Sequence, residues 1–340
     1  MIEIDGGYLE GGGQILRTAV ALSAITKKPI HIFNIRKKRE KPGLRHQHLE
    51  GILAAARICD AEIKGAELNS TDIEFIPKEI KGGTYNVWTK TAGSITLILQ
   101  TLIPLGIYAD KPLRLNIKGG TAVPFSPTIT YFEKVFCYYM KRMGIAISVE
   151  IKRHGFYPKG GGEVNACINN PGALQPVEFI DCGVFKRVEV TAFASEYLRN
   201  AKVGERLIQG FQRIIPEAVY KYNYVSADSP GCFIQGIGVY ENCLLGADAL
   251  GKRGIAAEEI GKEAGISLKE ILSADTCVDN YMIDQIIPYV ALATAETKKI
   301  IKIKFYKMTL HAQTNVWLVE KFLPVKFEVV GNILMCRLSG

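Results

Sequence analysis

Lys28-Pro29-Ile30-His31-Ile32-Phe33-Asn34-Ile35-Arg36 returns about 82 residues later as Lys111-Pro112-Leu113-Arg114-Leu115-Asn116-Ile117-Lys118, one residue shorter. Both copies alternate apolar and polar side chains with the two-residue period of a half-buried strand. An apolar stretch of helix length precedes each, Gln14 to Ile25 and Ser94 to Leu105. A second helix follows each, over Ile52 to Ile58 and Val135 to Met143. The repeated unit reads strand, helix, strand, helix, strand.

A third copy lies about 270 residues beyond the first: Asp284 to Ala295 supplies the helix, Lys299 to Phe305 the alternating strand, and Leu318-Val319-Glu320 the second helix. Two repeat periods cover only part of that offset, which leaves about 100 residues inserted within the third copy. The insertion has its own pattern: a strand at Arg187 to Phe193, a long helix around Glu196 to Ile214, strands near Ala218 to Val225 and Cys232 to Glu241, and a helix at Ala256 to Ala264. The expected fold class is α/β (α+β), with three βαβαβ-type repeats around a pseudo-threefold axis and a smaller inserted α/β domain. The expected division is 1–182 for the first two repeats and the start of the third, 183–276 for the insertion, and 277–340 for the rest of the third.

Composition excludes several classes. Apolar residues at 48% and charged residues at 22% of 340 suit a folded globular chain and rule out general disorder. The apolar run Ser94 to Ala109 is broken by Gln100 and Pro104 and is shorter than the roughly 20 residues of a membrane span, so it reads as a buried helix. The acidic start Met1-Ile2-Glu3-Ile4-Asp5 lacks the basic region of a signal peptide, so a cytoplasmic protein is expected. Eight cysteines with no CxxC pair argue against a structural zinc site and against a redox dithiol, and read as small buried apolar residues. A net charge of +8 suggests an anionic partner without identifying it.

The repeat makes loops comparable. After the second strand, copy one has the basic loop Arg36 to Gln47, copy two Gly119 to Pro127, and copy three Tyr306 to Asn315. Packing around an axis would bring a basic loop, a Gly/Pro loop and a histidine loop to one end. The basic loop reads either as a solvated charged turn or as a set of phosphate contacts, for which arginine is the best-shaped side chain. Glu10-Gly11-Gly12-Gly13-Gln14 runs into a helix and is neither a Walker A motif nor a dinucleotide fingerprint; it reads as a simple turn or as an anion site at the helix N-terminus. His311 lies between a strand and a helix expected to open near Thr314-Asn315, where it could serve as nucleophile or as acid/base.

Taken together, Glu10-Gly-Gly-Gly-Gln-Ile-Leu-Arg17, Lys41-Pro-Gly-Leu44 with Gln47-His48-Leu49, Ala92-Gly-Ser94 with Gln100, Arg153-His-Gly-Phe-Tyr-Pro158 with Gly160-Gly-Gly162, Asp284-Gln285, and His311-x-x-Thr-Asn315 with Glu320-x-Phe-Leu-Pro324 resemble the RNA 3′-terminal phosphate cyclase family. The resemblance covers nearly the whole chain in order and implies the same three repeats and insertion. It also implies an ATP-dependent enzyme. A histidine takes AMP from ATP with release of pyrophosphate, passes it to an RNA 3′-terminal phosphate, and the adjacent 2′-hydroxyl closes a 2′,3′-cyclic phosphate.

By the same resemblance, His311 matches the adenylylated histidine and Glu10 a residue near Mg²⁺ or Mn²⁺ and the ATP phosphates. Gln100, Pro127 and the segment Tyr281-Met282-Ile283-Asp284-Gln285 match the nucleotide site, with Tyr281 and Pro127 flanking adenine. Arg17, Arg36, Arg39 and Gln47 match the polar cluster around phosphates and RNA. Two other readings stay open: a noncatalytic cyclase-like binding protein of ribosome assembly, and an enolpyruvyl-type transferase built from similar repeats. The presence of His311 with Glu10 and Asp284 argues against the first, and the His-x-x-Thr-Asn pattern against the second.

Overall fold

The computed structural model describes residues 1–340 and shows a mixed α/β chain with four small sheets. The first unit runs β1 (Ile2–Asp5), α1 (Gly13–Thr26), β2 (Ile30–Phe33), α2 (His46–Cys59), β3 (Glu62–Lys64) and β4 (Ile73–Ile76). Its strand order is β1-β2-β4-β3, with β1 parallel to β2 and the other pairs antiparallel. The second unit runs β5 (Gly83–Trp88), α3 (Ile95–Ile107), β6 (Leu113–Gly119), a helical stretch, β7 (Ile147–Arg153) and β8 (Gly162–Ile168). Its order, β5-β6-β8-β7, and its strand senses are the same.

Each unit therefore closes on two antiparallel strands, where the periodicity gave one. At three residues, β3 is too short to show an alternating pattern. The helical stretch consists of α4 (Ile129–Tyr131), a π-turn (Phe132–Phe136) and α5 (Cys137–Arg142).

From Phe185 the chain builds a separate sheet: β9 (Phe185–Ser195), α6 (Val203–Gln212), β10 (Val219–Val225), β11 (Cys232–Tyr240), β12 (Leu244–Leu250) and α7 (Ala257–Leu272), ordered β10-β9-β11-β12. The helix expected over Glu196 to Ile214 is broken. Glu196–Leu198 forms a 3₁₀ turn and Lys202 takes a left-handed conformation (φ 52°), so α6 starts only at Val203. β12 was not foreseen, because Leu244-Leu245-Gly246-Ala247 is apolar without alternation.

α8 (Asn280–Thr297), β13 (Ile301–Lys304), α9 (Leu310–Phe322), β14 (Val325–Val330) and β15 (Ile333–Leu338) follow. Their sheet is ordered β13-β15-β14, and Phe179 bridges Ile303 in the parallel sense where the other units place a first strand.

One continuous apolar core joins these layers. In α3 every residue except Gln100 is buried, which explains the near-absence of polar side chains over 95–107 and leaves Gln100 as the position that faces out. A smaller cluster of Ala122, Phe156, Ala227 and Phe233, with Phe193 and Val225 against it, packs the separate sheet onto the second unit. The Arg153 guanidinium grips Asp228 at the same junction, with Nη2 2.6 Å from Oδ1. The Arg153 to Gly162 motif thus sits at the junction of two sheets. No helix is long and apolar enough to cross a membrane.

Candidate active site

The three corresponding loops all contribute to one cleft of about 1210 Å³, lined by Arg36 to Gln47 of the first, Pro124 to Pro127 of the second, and Thr309 and His311 of the third. The floor is helical. α1 presents Gln14, Arg17 and Thr18, α3 presents Gln100, and α8 presents Tyr281, Asp284, Gln285 and Pro288, a spacing of three and four that shares one helix face.

α9 begins earlier than Thr314. Thr309 is its cap, accepting the Ala312 N–H at 3.0 Å, so His311 lies in the first helical turn rather than in the preceding loop. That turn carries the positive end of the helix dipole. Burial, Arg17 and Arg39 together push the His311 pKa down to about 4, and the imidazole is neutral near pH 7. Its Nδ1 lies 3.8 Å from Glu10 Oε2. Both atoms are buried and neither has a hydrogen-bond partner. The other Glu10 oxygen is held by Arg39.

The glycine run exists for this carboxylate. A Cβ on Gly12 would stand 2.1 Å from Glu10 Oε2, and one on Gly13 would stand 2.3 Å from His48 Nε2. Gly11 takes φ +62°, a left-handed bend that carries the chain from Glu10 into α1.

A second set of bonds fixes the floor. Pro288 has no N–H to give the Asp284 carbonyl four residues back, and the Asn315 amide donates to that carbonyl at 2.6 Å. Asn315 also accepts the Thr18 hydroxyl at 2.9 Å, which ties α9 to α1 and α8 beneath His311. The Asp284 carboxyl accepts the Thr309 hydroxyl, and burial raises its pKa to about 7. Gln100 donates to Gln285 at 2.9 Å, and Gln285 donates to the Tyr281 carbonyl at 2.8 Å. Tyr281 and Pro127 face the same cleft.

On the basic side, Arg36 donates to the Lys41 and Gly43 carbonyls at 2.8 Å, so the charged loop is tied down rather than solvated throughout. Gln47 accepts the Ser94 N–H at 2.9 Å. Arg17 is buried enough for its pKa to fall to about 10, so it stays charged. The result is a set of arginines sharing one cleft with a neutral histidine.

A family model described as RNA 3′-terminal phosphate cyclase matches residues 8–329. The chain belongs to the RNA 3′-terminal phosphate cyclase family. Among similar proteins, the RNA 3′-terminal phosphate cyclase of Ignicoccus hospitalis is 40% identical over 344 residues, covering 98% of this chain and 96% of its own. That of Methanosarcina barkeri is 41% identical over 330 residues, covering 97% and 96%. That of Pyrococcus furiosus is 41% identical over 340 residues, covering 98% and 96%.

In this cyclase-family chain the cleft brings together Glu10, Arg17, Arg36, Arg39, Gln47, Gln100, Pro127, Tyr281, Asp284, Gln285 and His311. It does not include Met282 and Ile283, both fully buried on the opposite face of α8. The sequence reading missed Thr18 and Thr309, which carry no charge to mark them, and quoted Asn315 only as a capping and motif residue. It also missed Asp248 and Lys252, brought into the cleft by the separate sheet. Asp248 accepts the Thr128 hydroxyl at 2.8 Å beside Pro127, and burial raises its pKa to about 6.

A divalent cation would find a hard oxygen in the unpartnered Glu10 Oε2. No group of three or more His, Cys, Asp or Glu residues is arranged to hold a metal, so phosphate oxygens and water would supply its remaining ligands. The residues present fit Mg²⁺ or Mn²⁺ on those terms.

Proposed function

We propose that this protein converts an RNA 3′-terminal phosphate into a 2′,3′-cyclic phosphate at the expense of ATP, through AMP carried on His311. The observation that carries the reading is the neutral, half-buried imidazole of His311, its Nδ1 turned to Glu10, in an arginine-lined cleft. With a proton on Nδ1, toward Glu10, the lone pair on Nε2 is free to attack the α-phosphorus of ATP. The bond to the β-phosphate bridging oxygen breaks and pyrophosphate leaves. The imidazole then carries AMP and a positive charge, which the Glu10 carboxylate offsets. Arg17 and Arg39 face the charge that builds on phosphate oxygens.

An oxygen of the RNA 3′-phosphate next attacks the same phosphorus and releases neutral His311. The 2′-oxygen finally attacks the activated terminal phosphate and expels AMP, its proton passing to water. Splitting the work in this way replaces a poor leaving group with a good one. A bound divalent cation would neutralise phosphate charge near Glu10. Tyr281 and Pro127 would hold the adenine, with Gln100, Asp284 and Gln285 below.

The test is incubation with Mg²⁺ and ATP labelled at the α- or the γ-phosphate. Acid-labile label retained on the chain from α, not from γ, and absent in His311→Ala is the expected result. Undiminished label in that variant would overturn the proposal.

A further inference from the structure

Three thiols far apart in sequence meet where the separate sheet joins the rest of the chain. Cys182 precedes β9, Cys243 sits in the turn between β11 and β12, and Cys277 follows α7. The Cys243 Sγ lies 2.7 Å from the Cys182 Sγ, well inside the ordinary contact of two sulfur atoms, and the Cys277 Sγ lies 3.3 Å from the same sulfur. The sequence reading of the cysteines as plain apolar filling does not account for such an approach.

The backbone holds the thiols in place. The Asn242 N–H donates to the Cys182 carbonyl at 2.8 Å, and the Glu241 N–H donates to the Val184 carbonyl at 3.0 Å. Between them Gly183 takes φ +66°, and a Cβ there would stand 2.8 Å from Glu241 Cβ. On the third side the Cys277 N–H donates to the Lys304 carbonyl at 2.8 Å, and the Cys277 carbonyl accepts the Tyr139 hydroxyl. Cys182 is only half-buried, whereas Cys243 and Cys277 are buried, so small molecules reach the cluster through Cys182.

We propose that Cys182 and Cys243 form a reversible disulfide, that Cys277 can exchange into it, and that the oxidant is a small disulfide of the glutathione class. The Cys182 thiolate attacks one sulfur of the small disulfide and forms a mixed disulfide, and one thiol leaves with the proton that Cys182 gave up. The Cys243 thiolate then attacks the Cys182 sulfur and expels the second thiol. Two protein thiols are oxidised and one small disulfide is reduced to two thiols. Attack of Cys277 on Cys182 moves the bond without further change in oxidation. The bond pins the β11–β12 turn to the base of its own sheet, just before the strand that carries Asp248 into the cleft.

The test treats the native full chain with excess glutathione disulfide, alkylates the remaining thiols in denaturant, and maps peptides without reduction. The expected result is loss of two of the eight thiols, peptides joined through Cys182 and Cys243, and full recovery with dithiothreitol. The thermal midpoint of the oxidised protein should rise by several degrees, because the bond closes a long loop in the unfolded chain. Cys277→Ser should keep the Cys182–Cys243 bond, and Cys243→Ser should shift it to Cys182–Cys277. Cys182→Ser should form neither and show no rise. Eight alkylated thiols after treatment, a glutathione adduct that stays on Cys182, or the same loss of thiols in Cys182→Ser would each overturn the proposal.

Discussion

Glu10 Oε2 faces His311 Nδ1 across 3.8 Å, and neither buried atom has another partner. The gap is too long for a hydrogen bond but short enough for strong attraction once the imidazole becomes charged. Arg39 on the far Glu10 oxygen holds the carboxylate in place. On the proposed function, the pair suits the charged adduct more than the resting protein, as differential stabilisation requires.

Glu10→Gln removes that charge while keeping the shape. Labelling of the chain from α-labelled ATP should slow on the order of 10- to 100-fold, the scale seen when a partner that orients an imidazole is lost. Gly12→Ala should do the same without removing a charge, since its methyl would displace the Glu10 carboxylate and its Arg39 partner. Its backbone, at φ −106°, accepts alanine, so any fall in thermal midpoint reports the displaced ion pair rather than backbone strain. Single-turnover labelling beside a melting curve checks both variants.

The pH profile follows from the sign of the His311 shift. On the proposed function the reactive form is neutral, and a pKa near 4 keeps it so down to mildly acidic solution. Labelling should therefore stay level from neutral pH to about pH 5 and fall below it, rather than near the 6.5 of an ordinary histidine. Burial is the largest cause of the shift and the charges of Arg17 and Arg39 come second, so Arg39→Gln should move the acid limb partway toward 6.5. Initial rates between pH 4 and 8 distinguish the two positions.

Asp284 separates stability from function. Its pKa is raised from 3.8 to about 7 by burial. The folded chain therefore holds a proton that the unfolded chain has released, and stability is lost as pH rises from about 4 to 7. Asp284→Asn still accepts the Thr309 hydroxyl and no longer titrates. It should stabilise the protein at pH 7.5 by about 1–3 kcal/mol, discounted for its partial exposure, with no gain at pH 4. On the proposed function, affinity for a non-hydrolysable ATP analogue should fall in the same variant. Denaturant titration and calorimetric binding measure the two effects.

What the sequence shows and hides follows from the range of each interaction. The β2 and β6 strands and the α1 and α3 helices are readable because their periodicity is local and their apolar content high. His311, Glu10 and Arg17 are readable because they are chemically distinctive. The start of α9 is not, because Thr309 and Thr314 are equally good caps, and the long-range bond from Thr309 to Asp284 is not visible in a linear pattern. Met282 and Ile283 belong to the right segment but the wrong face, which a linear motif cannot tell. Asp248 and the three thiols depend on contacts between residues from tens to more than a hundred positions apart, for which one chain offers no local signal.

His154 gives a test of the junction between the second unit and the separate sheet. Its ring is buried against Phe156, Phe193 and Phe233, and burial pushes its pKa down to about 4. In the unfolded chain it protonates near 6.5, in the folded chain only near 4. Between those values the unfolded state binds the extra proton, and stability falls as pH falls, by about 1.4 kcal/mol for each pH unit per such group. His48, with its pKa lowered to about 3, adds a parallel term over the same interval, and so does His311. His154→Phe removes one of these terms and keeps an aromatic ring in an aromatic cluster, at the cost of a long contact between Thr121 Oγ1 and His154 Nδ1 at 3.4 Å. The slope of unfolding free energy against pH between 6 and 4.5 should become shallower by one proton, while stability at pH 8 changes little. Urea titrations across that interval measure it, and an unchanged slope would mean that the ring is open to water at the junction.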